Sequence, residues 1–157
     1  MSSDNTAETC AVDEQTLAEA CGAEMYQKDH AAKALGVSLQ EIGPGFARMT
    51  MTVRDDMLNS HAMCHGGMIF ALADCAFAYS CNGRNQVTVA AGCSIDYINP
   101  ARAGDSLLAV ARERSLERRT GIYDVTVTNQ DDTIIAHFRG RSHRIGGEVV
   151  PGLGSGN

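Results

Sequence analysis

Residues 65–82 read His65-Gly66-Gly67-Met-Ile-Phe-Ala-Leu-Ala-Asp74-Cys-Ala-Phe-Ala-Tyr-Ser-Cys-Asn82. Apolar side chains between Met68 and Ala78 point in every helical direction, so a helix here has no wet face and must be enclosed. The spacing predicts a central helix over Gly66–Asn82. The flanking sequence supplies its enclosure. Upstream, Val37, Leu39 and Ile42 lead into a Gly43-Pro44-Gly45 turn, after which Ala47, Met49, Met51 and Val53 alternate with polar residues as one arm of a hairpin. Downstream, runs at 87–98, 106–116, 121–128 and 133–141 alternate and are separated by turn-forming residues, which predicts an antiparallel meander. In the third run Tyr123, Val125 and Val127 share one face and Asp124, Thr126 and Thr128 the other, as in a sheet wet on one side. Asp13–Leu35 predicts a lead-in helix with Gly22 as its weak point and Gly36 as its stop. The fold class is therefore α+β, a long central helix wrapped by a curved antiparallel sheet of five to six strands. One sheet face covers one side of that helix, so the other side predicts contact with a second subunit.

At 157 residues and 16.7 kDa the chain holds one domain. Its expected limits are a mobile extension over 1–14, the domain over 15–146 and a flexible Gly-rich tail over 147–157. The longest apolar stretch, Met68–Cys81, is 14 residues and contains Asp74, whereas a membrane span needs about 20 largely uncharged residues. No membrane helix is expected. The N-terminus lacks a basic patch ahead of an apolar run, so it does not read as a secretory signal and the expected compartment is the cytoplasm. The six cysteines include no C-x-x-C pair and are expected as free thiols, not zinc ligands. The net charge is −6, and a duplex-binding protein would show a dominant basic face, so nucleic acid is not an expected partner. Arg112, Arg114, Arg118 and Arg119 form a local cluster readable as phosphate ligands or as solvated strand ends.

Asp74 carries the most chemical information. A carboxylate in the middle of an apolar helix loses solvation, so it either accepts strong hydrogen bonds as a structural acid or serves as a general base or nucleophile. At the start of the same helix, His65-Gly66-Gly67 offers free N–H groups at the positive end of the dipole, and glycine admits a substrate oxygen close to the backbone. That is the pattern of an oxyanion hole, or of a plain flexible turn. Eight residues at about 1.5 Å rise separate Gly66 from Asp74 by roughly 12 Å, so one substrate carbonyl cannot touch both. If both act together, they come from different subunits across a two-fold axis. Asn59 on the preceding loop can orient water or the carboxylate, and His65 can brace the loop or move a proton. His61 and His65 are four apart, but Ala62 stands where a zinc-protease motif needs glutamate, so no metal is expected.

The stretch from Asn59 to Asp74, with its His65-Gly66-Gly67-x6-Asp74 core, together with Ile95-Asp-Tyr-Ile-Asn-Pro100-Ala-Arg-Ala-Gly104-Asp105 and Phe138-Arg-Gly-Arg-Ser-His-Arg-Ile-Gly146, resembles the hot-dog-fold acyl-CoA thioesterases. Within them it is most similar to the phenylacetic-acid-degradation thioesterases. The resemblance runs from about Met25 to Gly146. It implies a hot-dog fold, a homotetramer built as a dimer of dimers, and hydrolysis of acyl-CoA esters, hydroxylated phenylacetyl-CoA above all, without metal or organic cofactor. It implies Asp74 as base or nucleophile, Gly66 as oxyanion donor, Asn59 as the orienting residue and His65 as loop support. Many relatives also place a serine or threonine on the strand after the helix; here Val89-Ala-Ala-Gly-Cys93-Ser94 leaves that hydroxyl unassigned. Met63, Met68, Phe70 and Tyr97 are candidate lining for the acyl pocket. The rival readings are a CoA-ester-binding regulator without turnover, a hot-dog dehydratase, which needs an Asp-His pair over the pocket, and a metal hydrolase.

Overall fold

Chain order and pairing set where each functional residue lands. The computed structural model describes residues 12–154. They form α1 (Glu14–Lys28), α2 (His30–Leu35), β1 (Ser38–Gly43), β2 (Phe46–Thr52), a 3₁₀ turn at Asp55–Met57, α3 (Gly66–Asn82), β3 (Thr88–Tyr97), β4 (Ser106–Glu117), β5 (Thr120–Thr128) and β6 (Ile134–Arg144). All six strands join one antiparallel sheet in the order β1-β2-β4-β5-β6-β3. This is the hot-dog arrangement. Among the described residues no helix is long and apolar enough to cross a membrane.

Two expectations need correction. The lead-in helix breaks at Asp29, not at Gly22. Asp29 ends α1 and its side chain caps α2 by accepting from Ala32 N at 2.9 Å, which lets the chain stop and restart within one residue. Gly22 lies buried within α1, where a Cβ would sit 2.9 Å from Leu39, so its role is close packing on β1. Gly36 does end α2, at φ 69°. The second correction concerns the meander. Strands β4, β5 and β6 are consecutive neighbours, but β3 lies at the far edge against β6, and the β1–β2 hairpin takes the place beside β4. Alternation reveals that a segment is a strand but not which strand it joins; α3 crosses the sheet and delivers the chain to the distant edge.

The core lies between α3 and the inner sheet face. Leu72, Ala73, Ala76 and Phe77 are fully buried. Phe77 packs on Tyr123 and Phe138 with ring centroids 5.5 and 5.8 Å away, and Phe70 meets Phe138 edge-on at 5.4 Å. Each large side chain enclosed this way contributes roughly 2–3 kcal/mol. The sheet yields to Phe77 at Gly140, where a Cβ would lie 2.7 Å from the ring. At the other extreme, β3 is exposed along most of its length, with Val89 43% and Tyr97 51% accessible.

The C-terminal residues 147–157 read in sequence as a flexible tail; residues 147–154 are fastened to the domain by hydrogen bonds to Val87 and Asn85. Residues 155–157, and 1–11 of the extension, lie outside the described residues.

Because Tyr123 and Phe138 hold the Phe77 ring on both sides, Gly140→Ala is expected to cost about 1–3 kcal/mol. Urea unfolding of the variant beside the parent checks this through a lowered midpoint at unchanged slope.

Candidate active site

The loop before α3 is closed by its own backbone. An isolated bridge joins Leu58 to Cys64, Cys64 N donates to Ala101 O at 2.8 Å and His65 N to Met57 O at 2.8 Å. Asn59 shapes the tip: its Oδ1 accepts from His61 N at 2.9 Å and from Met63 N at 3.2 Å. The carbonyl half of this side chain is thus spent on the loop.

His65 is the N-cap of α3, with Nδ1 accepting from Gly67 N at 3.0 Å. That bond needs Nδ1 unprotonated, so the ring proton of the neutral form sits on Nε2. His65 O takes Met68 N at 2.9 Å and Ile69 N at 3.4 Å. Gly66 N–H is then the one first-turn donor without a partner among the described residues, at the positive end of a 17-residue helix. Tyr97 secures the spot from β3 by donating its hydroxyl to Gly66 O at 2.8 Å. A Cβ on Gly66 would lie 2.9 Å from the Tyr97 ring, so only glycine lets the two elements meet this closely. Asn59, Met63, Gly66, Tyr97 and Pro100 line a cavity of about 330 Å³.

Asp74 faces a different cavity, of about 450 Å³, whose walls include Met25, Phe77, Ala78, Val87 and Val149. The carboxyl is half-buried, and loss of solvent pushes its pKa up; a Cys93 thiol donating to Oδ1 at 3.9 Å works in the opposite sense. Three of the four sequence-derived site residues, Asn59, His65 and Gly66, thus gather at the loop–helix junction, and Asp74 stands apart from them.

The thioesterase superfamily model matches residues 61–136. The acyl-coenzyme A thioesterase PaaI of Escherichia coli K12 is 50% identical over 126 residues, 80% of this chain and 90% of that protein. The chain belongs to the thioesterase superfamily. The solved structure of the E. coli PaaI protein from the phenylacetic acid degradation operon superposes with a TM-score of 0.85 at 46% identity, covering 87% of this chain and 99% of that one. The smu.793 protein of Streptococcus mutans, solved bound to acetyl-CoA, is 29% identical with a TM-score of 0.69, covering 71% of this chain and 90% of that one.

In this thioesterase Cys93 and the Tyr97 hydroxyl contact are what sequence reasoning missed. Thr88 faces inward, and simple alternation from it would turn Ser94 inward as well. A bulge between Ala90 and Gly92 shifts the register, so Cys93 lies across from Gly140 on the inner face and Ser94 from Arg139 on the outer one. The group facing Asp74 is a thiol instead of a hydroxyl. Burial and the neighbouring carboxylate push the Cys93 pKa up, and burial pushes Cys75 and Cys81 up to about 12; none is a thiolate nucleophile at neutral pH. Among the proposed lining residues, Met63 and Tyr97 border the Gly66 cavity, whereas Phe70 packs into the core. The arginine cluster is divided: Arg112 stacks on Phe46 at 4.8 Å, and Arg114 pairs with Asp124 at 2.8 Å. Among the described residues no group of three or more His, Cys, Asp or Glu is placed to hold a metal ion.

A carboxyl whose pKa is raised in the folded state adds stability below its unfolded value and loses it as pH rises through the folded value. Asp74→Asn should therefore match the parent's melting temperature below about pH 4 and exceed it at pH 8, a comparison made by calorimetry at both pH values. Removing the thiol donor in Cys93→Ala should move the Asp74 titration still higher, read from its carboxyl carbon by NMR.

Proposed function

We propose that this thioesterase hydrolyses acyl-CoA thioesters to the free acid and CoA, with phenylacetyl-CoA and its hydroxylated forms as the favoured esters. The acyl class is drawn from the names of the relatives, a coenzyme A thioesterase and a protein of the phenylacetic acid degradation operon. The observation that carries the reaction is the pairing of an unpartnered Gly66 N–H with a desolvated Asp74 carboxyl in two separate cavities of one chain. A working centre then draws one half from each of two chains.

The open edge of β3 supports that assembly. Among the described residues this strand pairs only with β6, so its outer edge carries no second strand, and Val89, Tyr97 and Ile98 beside it are exposed. An edge this long and apolar is a pairing surface. Two copies joined antiparallel through β3 would merge their sheets and set their α3 helices antiparallel, bringing Gly66 of one chain to Asp74 of the other. Two such dimers would make the tetramer that the resemblance implies. The compartment in this reading is the cytoplasm, where the five described cysteines stay reduced.

In this site the Gly66 N–H, with the dipole of α3 behind it, stabilises charge as it develops on the thioester oxygen. Asp74 of the other chain either takes a proton from an attacking water or attacks the carbonyl carbon itself, giving an acyl anhydride that water then opens. The C–S bond breaks, CoA leaves as thiolate and a proton restores the thiol. Asn59 orients the water or the carboxylate through its Nδ2 amide, and His65 holds the loop so that Gly67 N is occupied and Gly66 N is not.

Thiol release from a panel of CoA esters is the direct test. Asp74→Asn should abolish turnover with the fold intact; undiminished turnover overturns the assignment of Asp74. Binding of CoA esters by the wild-type chain without thiol release would make it a regulator instead. Gly66→Ala, which adds a carbon against the Tyr97 ring but keeps the N–H, is the control for Gly66→Pro, which adds that carbon and also removes the N–H at a helix start that follows an extended His65. The proline variant should also be inactive. Unfolding and reassembling the two dead variants together should restore about a quarter of wild-type activity, since half of the dimers carry one intact composite centre. No recovery, with mixed dimers demonstrated by mass, places both groups within one chain.

A further inference from the structure

The tail after Gly146 lies beyond the stretch that carries the family resemblance, yet it is built into the wall of the Asp74 cavity. Gly146 and Gly147, at φ 95° and 93°, turn the chain back after β6. Ile145 N donates to Val87 O and Val87 N to Gly147 O, both at 3.0 Å, so the returning chain pairs beside the start of β3. Asn85 then clamps it. This residue is 5% exposed and adopts φ 58°, a left-handed conformation that asparagine tolerates better than most side chains. Its amide acts as a substitute peptide: Oδ1 accepts from Val150 N at 2.7 Å, and Nδ2 donates to Val150 O at 3.0 Å and to Leu153 O at 2.5 Å. Within the strap, Gly152 N donates to Glu148 Oε2 at 2.7 Å. A buried amide committed in this way is costly to leave unpaired, so the strap is an ordered part of the domain.

Glu148 and Val149 of this strap border the cavity that holds Asp74. The ester has two arms of different chemistry. The pantetheine arm carries amides that need partners, and the Gly66 cavity has the Nδ2 of Asn59 and the Oδ1 of Asn99 in a lining that is otherwise mostly apolar. The acyl arm is apolar and matches the Met25, Phe77, Ala78, Val87, Val89 and Val149 part of the Asp74 cavity, whose lining also includes Asn82, Thr88 and Glu148. Met25 is unbranched and adapts to the shape of its contents. Val149 is stiff and sits on a clamped segment, so it fixes that side of the cavity.

We infer that the strap Glu148–Leu153, held by Asn85, is the wall that sets which acyl groups this thioesterase accepts, with Val149 as the residue that meets the acyl group. The inference rests on the thioesterase reading above. It is tested with the full chain and three variants, Val149→Phe, Val149→Ala and Asn85→Ala, against acetyl-CoA, phenylacetyl-CoA and octanoyl-CoA. Val149→Phe should lower kcat/KM for phenylacetyl-CoA relative to acetyl-CoA by about tenfold. Val149→Ala should shift the preference toward octanoyl-CoA by about fivefold or more. Asn85→Ala should loosen selection in the same direction and speed amide exchange at Val150 by about tenfold or more. Should Asn85→Ala fail to fold, the two Val149 variants decide the matter, since they leave the clamp in place. Ratios that stay within about twofold of the parent in both Val149 variants overturn the wall, with the thioesterase reading untouched. A wild-type chain that releases thiol from none of the three esters overturns the thioesterase reading, and this inference with it.

Discussion

The rise of an α-helix governs the chemistry of this protein. Gly66 and Asp74 sit on one rigid rod, buried along most of its length and braced by Phe77 against Tyr123 and Phe138, and eight residues of helix hold them roughly 12 Å apart. A loop could bend to bring two groups together, but a packed helix cannot. In the proposed reaction that separation is what asks for a second chain. A carbonyl held by the free N–H at the helix start is out of reach of the carboxylate on the same helix. Strand β3, whose Tyr97 and Cys93 touch Gly66 and Asp74, lies at the edge of the sheet, and it is the surface through which, in the proposed reading, a second chain supplies the other half.

The electrostatics follow from the same packing. α3 needs an apolar surface to be enclosed, and Asp74 interrupts that surface, so its carboxyl is desolvated and its pKa raised. Retaining a carboxyl there lowers stability at neutral pH, the usual cost of a reactive group kept partly dry. Cys93 tempers this with a weak S–H donor that leaves the carboxylate basic, where a hydroxyl would hold it more firmly. At the start of the helix His65 occupies Gly67 N–H and leaves Gly66 N–H without a partner among the described residues. Capping and the proposed oxyanion contact thus fall to adjacent peptide groups.

The two cavities differ in chemistry because different elements build them. The Gly66 side is made of the loop before α3, the helix start and the end of β3 with the residues after it, among them Asn59 and Asn99. The Asp74 side is made of helix flank, strand and the strap returning after β6. Two asparagines after the apolar part of α3 organise that second side in parallel: Asn82 exchanges hydrogen bonds with both Thr88 N and Thr88 O to start β3, and Asn85 does the same for Val150.

What could be read from sequence was whatever depends on near neighbours along the chain. The limits of α3 follow from the glycines at its start and the apolar run that only Asp74 interrupts; the β1–β2 hairpin follows from Gly43-Pro44-Gly45 and period-two alternation; Gly36 stops α2 because glycine adopts a left-handed turn without strain. The pairing of Asn59, His65 and Gly66 was legible for the same reason, since one short loop carries all three. The rest needed contacts between distant segments. The position of β3 at the sheet edge depends on which way α3 crosses. The inward turn of Cys93 depends on a bulge against β6, because one extra residue reverses every later side chain of the strand. Residues 147–154 look loose by composition, as glycine and proline describe only a backbone's freedom; Asn85, over sixty residues earlier, removes that freedom. Local propensity fixes the kind of element, and only tertiary packing decides what each element faces.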